Sequence, residues 1–150
     1  MAEDTTYTIN TFTGDIQKWI GRVTVGLEDV VRDFVKTVHA DLVNRSPVDT
    51  GRFKANWQIT YNHIPLYALN EYDKEGAKTI AGGVRVANVL PLGRGGAVTT
   101  IYFSNMLIYA NALEYGHSQQ APAGVLGLVA IRLRSYISDA IIESRRKNGL

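Results

Sequence analysis

Apolar residues recur every three or four positions along the first third of the chain. The pattern runs from Asp15 without a slip and consists of Ile16, Trp19, Ile20, Val23, Leu27, Val30, Val31, Phe34, Val35, Val38 and Leu42. This spacing puts one apolar stripe on one face of a long helix, which Pro47 ends near Arg45. About 30 residues make a helix of about 45 Å. Because a core of this size cannot cover that length, we expect part of the stripe to meet another subunit or another protein.

Residues 1–13 come before this pattern and differ from it in character. They contain five threonines and no apolar period. We therefore predict a flexible N-terminal arm that only a partner or a neighbouring edge would order. The remainder, residues 14–150, shows neither an internal repeat nor a linker and is predicted to be a single domain.

Beyond the first helix the apolar period changes to two. Trp57, Ile59 and Tyr61 alternate with polar neighbours, which predicts a half-buried strand. Residues 62–78 have no clean period and are predicted to be a surface loop. Two β-rich runs, about 80–90 and 97–104, flank the turn-rich stretch Pro91–Gly96 and predict a long hairpin with a mobile tip. Residues 62–97 would thus form an extended loop and hairpin.

The last third of the chain returns to helical spacing. One helix is predicted from Asn105 to a stop at Gly116. Another begins near Ala123 and ends in Arg145–Lys147, cations at the negative end of the helix dipole. The predicted fold is α+β: a long N-terminal helix, a small antiparallel β-sheet with a long hairpin, and a C-terminal helix packed on the sheet.

Composition narrows the function classes without choosing one. The 150 residues are 45% hydrophobic and 20% charged, with a net charge of +2, which is too small to indicate a dedicated nucleic-acid binder. The absence of cysteine excludes disulfides, thiolate zinc sites and cysteine nucleophiles. The acidic, polar N-terminus does not resemble a secretory signal, and no apolar run approaches the roughly 20 residues that span a bilayer. We expect a soluble protein made in the cytoplasm, without a membrane partner.

The tripeptide Asp49-Thr50-Gly51 matches the signature of aspartic proteases. In those enzymes two carboxylates share a proton inside an all-β fold. Here Asp49 follows a helix and precedes Arg52 and Lys54, whose charges favour an ionised carboxylate. The preferred interpretation is structural: Asp49 accepts the free N–H groups of a short turn over Gly51–Phe53, as an N-cap.

Other catalytic and metal-binding patterns are weak. Glu114 and His117 have a spacing that metal ligands on a helix can use, but Gly116 intervenes and no second pair exists. No serine lies in a nucleophile elbow, and the Gly-rich stretch at 93–96 lacks the lysine of a phosphate loop. We assign no catalytic, cofactor-binding or metal-binding residue.

Positive charge is concentrated in the predicted hairpin. No acidic residue lies between Glu75 and Glu114, whereas Lys78, Arg85 and Arg94 are basic. A surface of this kind can approach a phosphate backbone. The alternative is a solvated hairpin with no partner.

Two separated stretches together resemble the phage tail-completion family, also called neck or head–tail joining proteins. The stretch SPVDTGRFKANW is similar to the family's sPvdTGrLraSW element, on Ser46, Pro47, Asp49, Thr50, Gly51, Arg52 and Trp57. The stretch IYANALEYGHSQQAPAGVLGLVAIRL resembles the family's second motif, on Tyr109, Ala110, Glu114, Tyr115 and Gly116. The resemblance covers about residues 14–62 and 98–146. His117 departs from the family's usual Thr or Ser.

This resemblance implies a structural protein of the virion with no catalysis and no cofactor. Such a protein would form a homo-oligomeric ring, six-fold or twelve-fold, at the junction of head and tail. Its partners would be a head-side adaptor or portal and the tail-tube or tail-terminator proteins, and genomic DNA would pass through the lumen without sequence-specific contacts. Lys78, Arg85 and Arg94 would face the lumen or an axial partner. The protein would be made in the host cytoplasm and would reside in the virion.

Three alternatives remain open at this point. The first is a tail-terminator ring or a minor tail protein. The second is a small aspartic-type hydrolase built on Asp49. The third is a DNA-binding module that uses the hairpin and the basic tail Arg145–Lys147.

Overall fold

The computed structural model describes residues 2–93, 95–116, 118–121 and 123–150, with side chains from Thr13 onward except that of Asn111. Within these ranges the chain forms six helices and two strands, which confirms the predicted α+β class. The elements in chain order are α1 (Ala2–Arg45), α2 (Arg52–Ala55), β1 (Trp57–Tyr61), α3 (Ala77–Val89), β2 (Ile101–Asn105), α4 (Ala110–Glu114), α5 (Leu126–Ala130) and α6 (Leu133–Asn148).

The long N-terminal helix is confirmed, and it extends beyond the core. The side chains of residues 13–25 are exposed or half-buried, and Gly26 is the first buried residue in the described part of α1. The core side of the helix is Val35, Val38, Leu42 and Val43, each at most 3% exposed. Among residues 1–13, the predicted flexible arm, only the side chain of Thr13 is described. The arm therefore stays a prediction.

The sheet has two antiparallel strands, β1 and β2. Trp57 pairs with Asn105, Ile59 with Phe103 and Tyr61 with Ile101. The first predicted strand is therefore confirmed, and the second corresponds to the end of the predicted 97–104 run. The strand pairing differs from the prediction, because β2 pairs with β1 and not with residues 80–90.

The predicted strand at 80–90 is wrong, and with it the long hairpin. These residues belong to helix α3, which packs on α1 and buries Gly83, Ala87 and then Leu90. The physical reason lies at Gly83, where a Cβ atom would collide with the imidazole ring of His39. Gly83, which lies inside the predicted strand, is the close-packing point between α1 and α3.

The predicted packing of the C-terminal helix on the sheet is also wrong, because α6 packs on α1. The Ser144 hydroxyl donates to the carbonyl of Gly26 at 2.7 Å, and the Asn148 amide donates to the Asp29 carboxylate at 3.1 Å. Only Ala140 and Ser144 of α6 are buried. These two small side chains form a narrow buried strip on α6, which suits close packing against α1. The apolar contribution of this region to the core comes instead from Val125 and Val129, in and beside the separate helix α5.

Candidate functional site

The first sequence motif forms the corner between α1 and β1. The indole N–H of Trp57 donates to the Ser46 hydroxyl at 2.7 Å, and that hydroxyl donates to the Leu42 carbonyl at 2.7 Å. Trp57 is 7% exposed, and its ring meets Phe53 edge-on with centroids 5.7 Å apart. The end of the helix is thus hydrogen-bonded to the first residue of the strand, with Pro47 in the turn between them.

Gly51 is required at this corner by two independent constraints. Its φ of 84° lies in the left-handed region, and a Cβ atom there would collide with the backbone of Asp73 and Lys74. Its carbonyl accepts hydrogen bonds from the N–H groups of Ala55, at 3.1 Å, and Asp73, at 3.0 Å. The motif glycine therefore joins α2 to the segment that precedes α3.

The predicted N-cap by Asp49 is wrong. Asp49 is exposed, and no described hydrogen bond or ion pair involves its carboxylate. The side chain that satisfies the turn is Thr50, whose hydroxyl accepts the Arg52 N–H at 3.2 Å. Helix α2 begins directly after Gly51, so the nearer Thr50 side chain reaches its first N–H.

The carboxylate that does cap a helix in this region is Asp73, which the motif analysis missed. It accepts hydrogen bonds from the N–H of Gly76, at 3.0 Å, and from the N–H and hydroxyl of Thr79, both at 2.8 Å. Burial raises the pKa of Asp73, but the Thr79 and Gly76 bonds and the charge of Lys78 outweigh it and hold the pKa below its ordinary value. The sequence analysis missed it because residues 80–90 were predicted to form a strand, which leaves no helix start for Asp73 to cap.

The second sequence motif caps α5. The Glu114 carboxylate accepts the N–H groups of Val125, Leu126 and Gly127 at 2.9, 2.7 and 2.8 Å. Gly124, with φ of 80°, allows this approach, since a Cβ there would press against Glu114. Gly116, with φ of 85°, ends the turn after α4, and Tyr115 is 81% exposed. Glu114 is therefore occupied as a structural anchor.

The two motifs meet in space and line one cleft, which we call the motif cleft. Val48 and Gln120 exchange two hydrogen bonds, and the rings of Phe53 and Tyr109 lie 6.4 Å apart. The cleft has a volume of about 260 Å³ and is lined by residues 47–53 with Tyr109, Leu113, Ser118 and Gln120.

The chemistry available in the motif cleft is limited. Among its described lining residues, Asp49 is the one carboxylate and there is no histidine. Arg52 also lines the cleft, and its Nε is buried with no described hydrogen-bond partner. A lone exposed carboxylate has neither a second acid nor a base to share a proton. The described lining of the cleft is partly polar, but it does not form an acid–base pair.

The basic residues singled out from the sequence lie elsewhere. Lys78 and Arg85 are exposed on α3, seven residues apart and so on one helix face. They line a different cleft, of about 360 Å³, which also contains Glu71 and Asp73, and Lys78 contacts Glu71 at 3.7 Å. Arg94 lies outside the described residues. The motif cleft and the cleft that contains Lys78 and Arg85 share no lining residue.

Metal and membrane interpretations gain no support from the described residues. Within them no three His, Asp or Glu side chains are close enough to hold a metal ion. Of the two residues whose spacing was weighed as a metal pair and set aside, Glu114 caps α5 and His117 lies outside the described set. Among the helices described, none is long and apolar enough to cross a bilayer.

The resemblance of the two motifs to tail-completion proteins stays a prediction. The structure brings the two stretches together at one corner. No family model, curated protein or solved structure matches this chain.

Proposed function

We propose that this protein is a non-enzymatic subunit of a ring at the head–tail junction of a tailed phage. The supporting observation is the corner between α1 and β1 where the two motifs meet, which we call the motif corner. There the side chains of both motifs hold chain segments together. Ser46, Gly51, Trp57 and Glu114 each hold two chain segments together. Motif residues of an enzyme would instead converge on a reacting group.

The aspartic hydrolase is the less favoured alternative. It needs a paired, partly protonated carboxylate in a water-poor site. Asp49 is exposed, and the described lining of its cleft offers no second carboxylate. The geometry therefore favours a scaffold over a hydrolase.

Assembly into a larger body is supported by apolar surface left uncovered on a single copy. Trp19, Leu66 and Tyr67 are 53%, 81% and 77% exposed. Exposed apolar patches mark interaction sites in soluble proteins, and Leu66 and Tyr67 are neighbours that line the same groove. A ring component has a reason for such surface, because its neighbours cover it.

In this proposal the α3 face that carries Lys78 and Arg85 lies toward the lumen or an axial partner. The lumen contacts are with DNA phosphates and carry no sequence information. The head-side adaptor or portal and the tail-tube or tail-terminator proteins are the axial neighbours. A tail-terminator ring or a minor tail protein would use the same corner. Its position along the axis of the particle distinguishes it from a ring at the head–tail junction.

The test is the assembly state of the full chain. We expect native mass spectrometry to give a six-fold or twelve-fold oligomer and electron microscopy to show a ring with an axial channel. An Asp49→Asn variant serves as the control and should assemble as the wild type does. A protein that cleaves peptides, and loses that activity in Asp49→Asn while keeping its fold, would contradict the proposal.

A further inference from the structure

The N-terminal part of α1 carries an apolar stripe that is largely exposed, and we call this part, residues 13–25, the spur. Ile16, Trp19 and Ile20 are 41%, 53% and 52% exposed, and Val23 is half-buried. Their spacing of three and four residues places them on one face of the helix. A helix with one exposed apolar face is the usual partner of another helix, because each covers the stripe of the other.

All the charge of the spur lies on one side of this stripe. At about 100° of rotation per residue, Asp15 and Arg22 flank the stripe together, two turns apart, and Lys18 lies further round on the rear face. The opposite flank carries Gln17 and Thr24, which are uncharged. The three charged side chains are exposed, and no described ion pair involves them. They are therefore available to a partner.

This arrangement of charge selects one partner and one orientation. In an antiparallel pair of identical helices, the charged flank of one copy faces the same flank of the other in reverse order, so Asp15 lies opposite Arg22. In a parallel pair the charged flank would face the uncharged one. The groove beside β1 is a poorer match, because its described lining, residues 59–67 with Val86, has no Asp, Glu, Lys or Arg. A second spur is the occupant that pairs these charges.

We propose that the spur of one copy pairs antiparallel with the spur of a second copy, across a two-fold axis near Trp19. Asp15 of each copy forms an ion pair with Arg22 of the other. The two Trp19 rings meet at the centre, and Ile16 of each copy packs beside Val23 of the other. The pair thus covers both apolar stripes and forms two equivalent ion pairs.

This contact is separate from the contacts that would close a ring. A two-fold contact uses the same surface on both copies and joins them in pairs, whereas a ring needs two different surfaces on each copy. Spur pairing would therefore join two single copies, or two rings where rings form. The inference does not rest on the proposed function.

Two single charge reversals, Asp15→Arg and Arg22→Glu, test the pairing. In each variant alone, both ion pairs become like-charge contacts, so we expect the dissociation constant of the pair to rise at least about fivefold. At a concentration where the wild type is paired, native mass spectrometry should then find half as many copies per complex. A 1:1 mixture of the purified variants should restore the wild-type number, because each new arginine faces the new glutamate of the other variant.

Lys18→Glu is the matched control for Arg22→Glu. It makes the same change in net charge, but on the rear face of the helix, so the number of copies per complex should stay that of the wild type. All three substituted side chains are exposed, and circular dichroism should show every variant folded. An equal effect of Lys18→Glu and Arg22→Glu would mean that net charge, not the assigned ion pair, controls association, and would overturn the pairing.

Trp19 gives a second readout that is independent of mass. The chain has two tryptophans, and Trp57 is already 7% exposed, so a change in quenching by acrylamide reports on Trp19. In the wild type, quenching should fall as the protein concentration rises through the dissociation constant. In Arg22→Glu it should stay high over the same range. Wild-type quenching that does not change with concentration would show that the stripe stays uncovered, against the proposal.

The remaining outcomes separate this inference from the ring. If both charge reversals keep the wild-type number of copies, or if their mixture restores nothing, the spur does not pair antiparallel with itself. The ring proposal is judged separately, by whether a charge-reversal variant alone still forms a closed ring. Single rings in the variants and paired rings in the mixture would support both.

Discussion

The side chain of Gln120 and the backbone of Val48 hydrogen-bond to each other in both directions. The Val48 N–H donates to the Gln120 side-chain carbonyl at 2.9 Å, and the Gln120 amide donates to the Val48 carbonyl at 2.8 Å. The two residues are 72 positions apart. This pairing joins the turn after α1 to the loop after α4, so it links the two sequence motifs across the motif cleft.

Replacement of Gln120 by alanine should weaken that link. Two exposed hydrogen bonds disappear, each contributing about 0.5–1.5 kcal/mol, so we expect the free energy of unfolding in urea to fall by about 1–2 kcal/mol. Gln119→Ala is the matched control, because Gln119 is exposed and takes part in no described hydrogen bond. Equal losses in the two variants would show that the pairing contributes nothing specific.

Replacement of Gly51 by alanine should destabilise the fold much more. A positive φ costs a residue with a Cβ about 1–2 kcal/mol, and the collision with the Asp73–Lys74 backbone adds to this. Gly95→Ala separates the two costs, because Gly95 has φ of 82° and no atom near its Cβ position. Urea denaturation should give a loss for Gly51→Ala that exceeds the loss for Gly95→Ala by more than about 2 kcal/mol. Similar losses would mean that the backbone moves aside without cost.

The two motif carboxylates should respond differently to loss of charge. In Glu114→Gln one of the two accepting oxygens becomes an NH₂ group, so the side chain can no longer accept the N–H groups of Val125, Leu126 and Gly127 together. We expect the free energy of unfolding to fall by about 1.5–3 kcal/mol. Asp49→Asn removes no described bond and should stay within about 0.5 kcal/mol of wild type. Thermal unfolding of both variants at neutral pH checks this. A larger loss for Asp49→Asn would restore that residue as the brace of the corner.

Neutralisation of the exposed α3 cations tests their place in the proposed ring. Lys78→Gln with Arg85→Gln should leave the melting temperature and the ring unchanged, because both side chains project into solvent. In the assembled particle it should impair joining or DNA retention, since the variant lacks contacts to phosphates. Arg145→Gln with Lys147→Gln is the control on the basic tail. If the tail variant loses binding to free duplex DNA and the α3 variant does not, the chain is a DNA-binding module that uses its C-terminus.

Sequence periodicity predicted α1 and β1 well because one face of each is consistently apolar. It failed for α3, where Ile80, Val84 and Val86 are β-branched residues that favour strands, and Gly82 and Gly83 are poor helix formers. The helical spacing of Gly83, Ala87 and Leu90 was present, but a glycine at a buried helix contact carries no hydrophobic signal.

The motif corner shows a different limit of the sequence. The two motifs contain most of the residues that hold this corner, but not Asp73, and the sequence favours Asp49 for the capping role that Thr50, Asp73 and Glu114 perform. Which carboxylate reaches a free N–H depends on where each helix begins. Helix starts are the least certain part of a prediction from one sequence.

His39 should make the fold sensitive to mild acid. The ring is 3% exposed, its Nε2 donates to the Trp57 carbonyl at 2.9 Å, and Gly83 packs against it. Burial lowers the pKa of His39 below 6.5, and the hydrogen bond to Trp57 only partly opposes this. Other charges on the packed elements do not replace the lost solvation, because the ionic groups lining the adjacent cleft are Glu71, Asp73, Lys78 and Arg85, of both signs.

The pH at which stability is lost follows from the sign of that shift. Above about pH 6.5 His39 is neutral in both states, and its contribution is fully present. As the pH falls below this value the unfolded chain binds a proton that the folded chain does not, so the free energy of unfolding decreases by up to about 1.4 kcal/mol per pH unit. The decrease ends at the folded-state pKa. The free energy of unfolding in urea, measured from about one pH unit above 6.5 to about two units below it, should depend less on pH in His39→Gln, which keeps an N–H donor. It should still depend steeply on pH in His63→Gln, whose side chain is exposed. An unchanged slope in His39→Gln would mean that another group controls the acid response.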